Sequence, residues 1–356
     1  MDRRHYLGFL TTALLAGCTE SDVSTETPVS TATETPTGTP ERHTTAVRTE
    51  TDSDTATPEE TGTEPSTETR TESGTPDPAD EALDSIAADI ASSVDVYVDA
   101  ADGDELTDVT AADGVSLADL REPLYDARDT RTSVDTASLT DAQRTRFERL
   151  DGCYWFCWWL GATHTDLNAG RGSIETGWDH VLDRNWEEAS LAFDTAGTDV
   201  ATAEQDFEDL ESESDPADTN GFDRLSVSGY EAKVEQLTAE LAQGEELADI
   251  LATMVDGFES YLSGGETGYL EATLDFEDAG ERLDDTEWRS PFDPTAEDAR
   301  CVADAMAAGC ELLDQASQTA ADETERRETL RQQAREEFER CTIVEEDISI
   351  PVYSNN

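Results

Sequence analysis

Trp186-Glu-Glu-Ala-Ser-Leu-Ala-Phe193-Asp-Thr-Ala-Gly197 recurs downstream as Tyr269-Leu-Glu-Ala-Thr-Leu-Asp-Phe276-Glu-Asp-Ala-Gly280. Glu188, Ala189, Leu191, Phe193, Ala196 and Gly197 are matched in place by Glu271, Ala272, Leu274, Phe276, Ala279 and Gly280, and an aromatic residue leads each copy. Ala189, Phe193 and Ala196 follow one another at four- and three-residue steps, which places them on one face of an α-helix. Two copies of one amphipathic helix predict a helical domain with an internal duplication. Upstream, Trp178-x-x-x-Leu182 is echoed by Phe258-x-x-x-Leu262, so the echo reaches into the preceding helix of each copy.

The aromatic-x-x-Ala-x-x-x-Phe-x-x-Ala pattern of both copies resembles the second helix of a tetratricopeptide repeat. In that family the small Ala lets paired helices approach, and the Phe fills the gap between neighbouring pairs. The resemblance covers roughly Leu139 to Ser290 and is partial. The copies lie too far apart to be adjacent repeats of ~34 residues, the Leu-Gly pair of the family's first helix is missing, and no Pro follows either copy at the usual place.

Outward from this centre the helical pattern continues. Leu83, Ile86, Ile90, Val94 and Tyr97 form one apolar stripe. Thr140-Asp-Ala-Gln143 is a capping box that starts a helix running to about Leu167, and Gly170 to Gly172 reads as its break. Further helices fit Ile174–Arg184, Trp186–Leu210, Val227–Leu262, Glu266–Leu283, Thr295–Ser317 and Thr324–Cys341. Asp215-Pro216 and Ser290-Pro291-Phe-Asp-Pro294 are loops by proline chemistry. Alternating patterns are scarce, with room for one short strand between Thr342 and Val352. The expected fold is all-α, a helical-hairpin array or bundle over residues 79–344 with a short C-terminal tail at 345–356.

Residues 18–78 are dominated by Thr, Glu, Ser and Pro. Too few apolar residues are present to offset chain entropy, so this stretch reads as a disordered, O-glycosylatable stalk. Ahead of it, Arg3-Arg4-His5-Tyr6-Leu7 resembles a twin-arginine export motif, and Leu15-Ala16-Gly17-Cys18 resembles a lipobox. Residues 1–17 have the length of a signal peptide and fall short of the ~20 apolar residues that span a bilayer. The resemblance implies a lipid on the Cys18 sulfur and an anchor on the outer face of the cell membrane.

The chain holds 84 acidic and 23 basic residues, a formal charge of −61, and Lys233 is its single lysine. This composition resembles salt-adapted archaeal proteins, whose like charges are screened at molar salt, where the Debye length is ~3 Å. No basic stripe is present to neutralise phosphates, which excludes nucleic acid as a direct partner.

Gly152-Cys-Tyr-Trp-Phe-Cys-Trp-Trp-Leu160 is apolar on every side and reads as the buried centre of the domain. The functional alternative lets Trp155, Trp158 and Trp159 line a pocket, with His164 as its polar contact. Cys153 and Cys157 sit one helical turn apart with no second ligand pair, so no metal or other cofactor is expected. If the last two helices form a hairpin turning near Ala321, Cys301 and Cys341 fall opposite each other as a disulfide, and Cys310 could meet Cys153 or Cys157. No Gly-x-Ser-x-Gly, His-Glu-x-x-His or phosphate-loop motif occurs, so no enzyme activity is expected. The composite expectation is a lipid-anchored helical protein that binds a protein or peptide partner. The alternative is a receptor for a small solute or glycan built on the Trp-rich segment.

Overall fold

The computed structural model describes residues 77–341, with 220 and 223 excepted. All regular structure among them is helical. Eight α-helices run in order as α1 (Pro78–Asp99), α2 (Leu117–Ser133), α3 (Asp141–Leu182), α4 (Trp186–Glu213), α5 (Val227–Ser263), α6 (Gly265–Asp285), α7 (Asp293–Gln318) and α8 (Thr324–Phe338). Short 3-10 turns lie at Leu106–Asp108 and Pro216–Thr219.

The helix starts follow from capping chemistry. Asp77 accepts the Ala79 N–H at 3.0 Å ahead of Pro78, and Ser226 caps α5 through the Gly229 N–H at 3.1 Å. At α3, Thr140 and Gln143 exchange the reciprocal bonds of a capping box. Gly264, at φ 67°, supplies the left-handed turn between α5 and α6.

The helices α3/α4, α5/α6 and α7/α8 form three successive hairpins, with α4 packed on α5 and α6 on α7. The first part of α3 carries α1 and α2 as an additional layer. One device holds all three hairpins together. Gly177 seats the ring of Phe193, Gly257 that of Phe276, and Gly309 that of Phe338, and a β-carbon at any of the three would meet the ring. Each glycine removes the atom that would otherwise keep its hairpin open. Trp186 stacks on Phe258 at 4.7 Å, and Phe258 meets Phe276 edge-on at 4.9 Å, so aromatic packing runs from α4 through α5 to α6.

Three details differ from the sequence expectation. Helix α3 continues unbroken through Gly170 and Gly172; Gly170 lies against Val200 of α4, where close helix approach excludes a side chain. Helix α2 has no counterpart in the expected set. Its fully buried residues are only Leu120, Leu124 and Ala127, in a stretch rich in charge and interrupted by Pro123. Cys301 and Cys341 are joined in a disulfide with Cα atoms 5.6 Å apart, but Cys310 pairs with neither Cys153 nor Cys157. The α5/α6 hairpin lies between α3 and α7 in the array and keeps those thiols apart. The stretch with room for a short strand, between 342 and 352, falls outside the described residues.

Candidate binding surfaces

The aromatic segment lies in the middle of α3, with Tyr154, Phe156 and Cys157 buried and Trp155, Trp158 and Trp159 half-buried. Helix α2 lays two arginines on this face. The Arg121 guanidinium sits 4.0 Å from the Trp158 ring centre, and Arg131 sits 4.4 Å from Tyr154 and 5.2 Å from Trp155. Trp159 donates its indole N–H to Glu213 at 3.2 Å. Trp155 and Trp158, with Tyr154, therefore form a cation–π layer between α2 and α3, while Trp159 turns its indole N–H to α4. Burial pushes the Cys153 and Cys310 thiols up to about 12 and raises Cys157 too, so all three remain protonated thiols.

His164 points away from the tryptophans into a buried polar network. Its Nε2–H donates to the Asp113 carbonyl at 2.9 Å, which leaves Nδ1 to accept the Tyr97 hydroxyl at 3.2 Å. Burial pulls the imidazole down to about 4, so it is neutral above that pH. Lys233 is fully buried in the same region. Its ammonium donates to the Val109 carbonyl at 2.6 Å and to Gln236 at 3.2 Å, while Gln236 passes a bond of 2.7 Å to Glu240. Glu240 accepts the Ala111 N–H at 3.1 Å, and Asn168 donates to the Ala111 carbonyl at 2.6 Å. Burial lowers Lys233 to about 8 against the opposing pull of Glu240 and Asp113.

These groups explain how the α1–α2 connection can be buried. Leu106, Val109 and Ala111 are sealed from solvent, so their segment's backbone groups need partners from the protein. Side chains from α3 and α5 provide them. Lys233, Glu240, His164 and Tyr97 come from three different helices, and no local motif marks them as a set. The network has the residue types of an acid–base site, yet its donors and acceptors are spent on main chain and on one another. Among the described residues, no group of three or more His, Cys, Asp or Glu side chains is disposed to hold a metal ion.

Exposed leucines of a different character lie on α4 and on α6. Leu191 is 66% exposed and Leu274 is 55% exposed, and these are the two leucines matched by the internal duplication. Leu270, 48% exposed, precedes Leu274 by one helical turn, and Leu262 at the end of α5 is 40% exposed. Ala189, Phe193, Ala272 and Phe276 bury the opposite faces of the same helices. Acids stand three residues to either side of both matched leucines: Glu188 and Asp194 around Leu191, Glu271 and Glu277 around Leu274. The duplicated unit thus presents an apolar side chain between carboxylates twice.

Arg3, Arg4 and Cys18 lie outside the described residues. Among those described, no helix is long and apolar enough to cross a membrane. Comparison with protein-family models, with curated proteins and with solved structures yields no match.

Proposed function

We propose that this chain is a non-catalytic, lipid-anchored surface protein whose helical domain binds a protein partner through the leucines exposed on α4 and α6. The observation that carries the reading is the shared exposure of Leu191 and Leu274, equivalent residues of the two copies, on an otherwise strongly acidic chain. Isolated exposed leucines need no explanation, and what favours a contact role here is that the same leucine is exposed in both copies. The partner that fits is an amphipathic helix with an apolar stripe between basic flanks. Apolar contact supplies affinity that survives molar salt, and the flanking carboxylates orient the partner where screening is weaker. In this reading Arg3 and Arg4 direct export, Cys18 carries the lipid, and residues 18–78 lift the domain off the membrane. Its rival, a solute or glycan receptor built on Trp155, Trp158 and Trp159, is the less supported because Arg121 and Arg131 already lie on that aromatic face.

Photo-crosslinking in cells tests the partner reading. A photoreactive side chain at position 191 or 274 should capture one and the same protein, and the same group at Thr329 on α8 should not. Absence of any adduct, or identical adducts from all three positions, argues against it. Fractionation tests the anchor separately. Cys18→Ser should release the protein from membranes or block its processing, and an unchanged distribution and size would exclude lipidation.

A further inference from the structure

The last helix is the least anchored of the array. Helices α4 and α6 each bury seven residues and pack on two neighbours, α4 on α3 and α5, α6 on α5 and α7. Helix α8 buries only Ala334 and Phe338, and eight of its fifteen residues are charged. Among the described residues, α7 is the one helix it packs broadly against. An isolated helix of this length is marginal in water, so α8 depends on what fastens it. Glu323 at its start makes no side-chain cap bond, and the turn before it is tied by Arg327, which donates to the Thr319 carbonyl at 2.8 Å. The ion pairs Arg326–Glu323 and Arg340–Glu337 lie within the segment and add no tie to α7.

Two fasteners stand at the far end of α8. Phe338 seats its ring over Gly309 of α7 and meets Tyr261 of α5 edge-on at 5.8 Å. Three residues on, Cys341 is bonded to Cys301 in the opening turns of α7. Cys301 is half-buried, so the bridge is not sealed inside the core. Burial of so few apolar side chains is weak compensation for fixing fifteen residues, and the covalent bond decides whether α8 stays in place.

We propose that α8 is a redox-released strap. With the Cys301–Cys341 bridge closed it covers Gly309 and Tyr261, and with the bridge opened it detaches while α1 to α7 stay folded. An external dithiol opens the bridge by thiol–disulfide exchange: its own two sulfurs end joined, and Cys301 and Cys341 each gain one electron and one proton to become thiols. Cys153, Cys157 and Cys310 are free thiols already, so among the described residues the dithiol acts on this bridge alone. The strap sits on α7, and the leucines of the proposed partner surface sit on α4 and α6, so the two readings can fail independently.

Hydrogen exchange of the full mature protein in molar salt, with and without dithiothreitol, tests the strap. Opening the bridge should speed exchange of the α8 amides at least about tenfold and leave those of α3 to α6 unchanged. Cys301→Ser/Cys341→Ser should show the fast α8 exchange without reductant and no further response to it. Limited trypsin digestion gives a second reading, because Arg331 and Arg335 lie inside α8 and their bonds should be cut at least about tenfold faster once the bridge is open. Three results would each overturn the proposal: α8 exchange that ignores the reductant, acceleration spread equally over all helices, or unchanged cleavage at Arg331 and Arg335.

Discussion

Lys233→Met removes the chain's single lysine from the centre of the buried network while keeping a side chain of similar length. Two hydrogen bonds go, those to the Val109 carbonyl and to Gln236. Val109 keeps a second donor in Gln236 Nε2 at 3.1 Å, so its carbonyl is not orphaned. The larger loss falls on Glu240, 4% exposed, which is left buried without the nearby positive charge. Breaking a buried charge pair from one side costs ~3–5 kcal/mol, and the Gln236 relay between these two groups places the expected loss near the lower end, about 3 kcal/mol. Lys233→Met/Glu240→Gln removes both charges and should be less destabilised than the sum of the single variants by about 1 kcal/mol or more. Urea unfolding followed by circular dichroism at fixed molar salt reads all four proteins of the cycle. A loss below about 1 kcal/mol for Lys233→Met, or strict additivity in the double variant, would refute the view that Lys233 and Glu240 act together to hold the α1–α2 connection.

Other expectations rest on separate parts of the fold. His164 is held at about 4 in the folded chain, below the 6.5 of the free imidazole, so the folded state binds fewer protons across that window. Stability from this group is present above pH 6.5 and falls by about 1.4 kcal/mol per unit toward pH 4. The stability difference between wild type and His164→Gln should therefore shrink by about 3 kcal/mol from pH 7 to pH 4, and a constant difference would contradict the assignment. Burial, together with Asp166, raises Asp206 to about 6, a shift that favours the fold at low pH and loses its benefit above pH 6. Asp206→Asn should thus raise stability at pH 7.5 by about 1 kcal/mol after allowance for solvent screening, and a loss there would count against the pairing. The Cys301–Cys341 bridge closes a separation of 40 residues, and Cys301→Ser/Cys341→Ser should cost ~2–4 kcal/mol in thermal or urea unfolding. Equal stability with and without the bridge would remove it from the architecture.

The sequence carried the fold wherever a signal repeated. The matched Ala, Phe and Ala positions reappear as the buried faces of α4 and α6, and the cap at Thr140 starts α3. Gly170 was ambiguous because glycine serves equally for ending a helix and for letting two helices touch, and only the position of Val200 decides between them. Helix α2 escaped because three small contacts, Leu120, Leu124 and Ala127, are enough to bury it once α3 supplies the opposing surface. None of the glycine–phenylalanine seats was legible, because each glycine and its phenylalanine lie on different helices at no common spacing and meet only when the hairpin closes. The exposed leucines were legible only in part. Leu191 and Leu274 stood out as matched residues, but a matched leucine is ordinarily core, and their exposure is a property of the packed helices. The Lys233 network was not legible at all, since its members join only after α1, α3 and α5 pack around the α1–α2 connection.

The proposed binding surface on α4 and α6 is tested most directly by fluorescence anisotropy of a labelled 18-residue amphipathic helix, leucine on one face and arginine on its flanks, titrated with the full mature protein in molar salt. Completing the burial of each half-exposed leucine is worth about 1 kcal/mol, and an aspartate in its place adds the cost of covering a charge. Leu191→Asp/Leu274→Asp should weaken binding at least tenfold, whereas Thr329→Asp on α8 should leave it unchanged. Equal affinity for the wild type and the leucine variant would contradict the proposed partner surface.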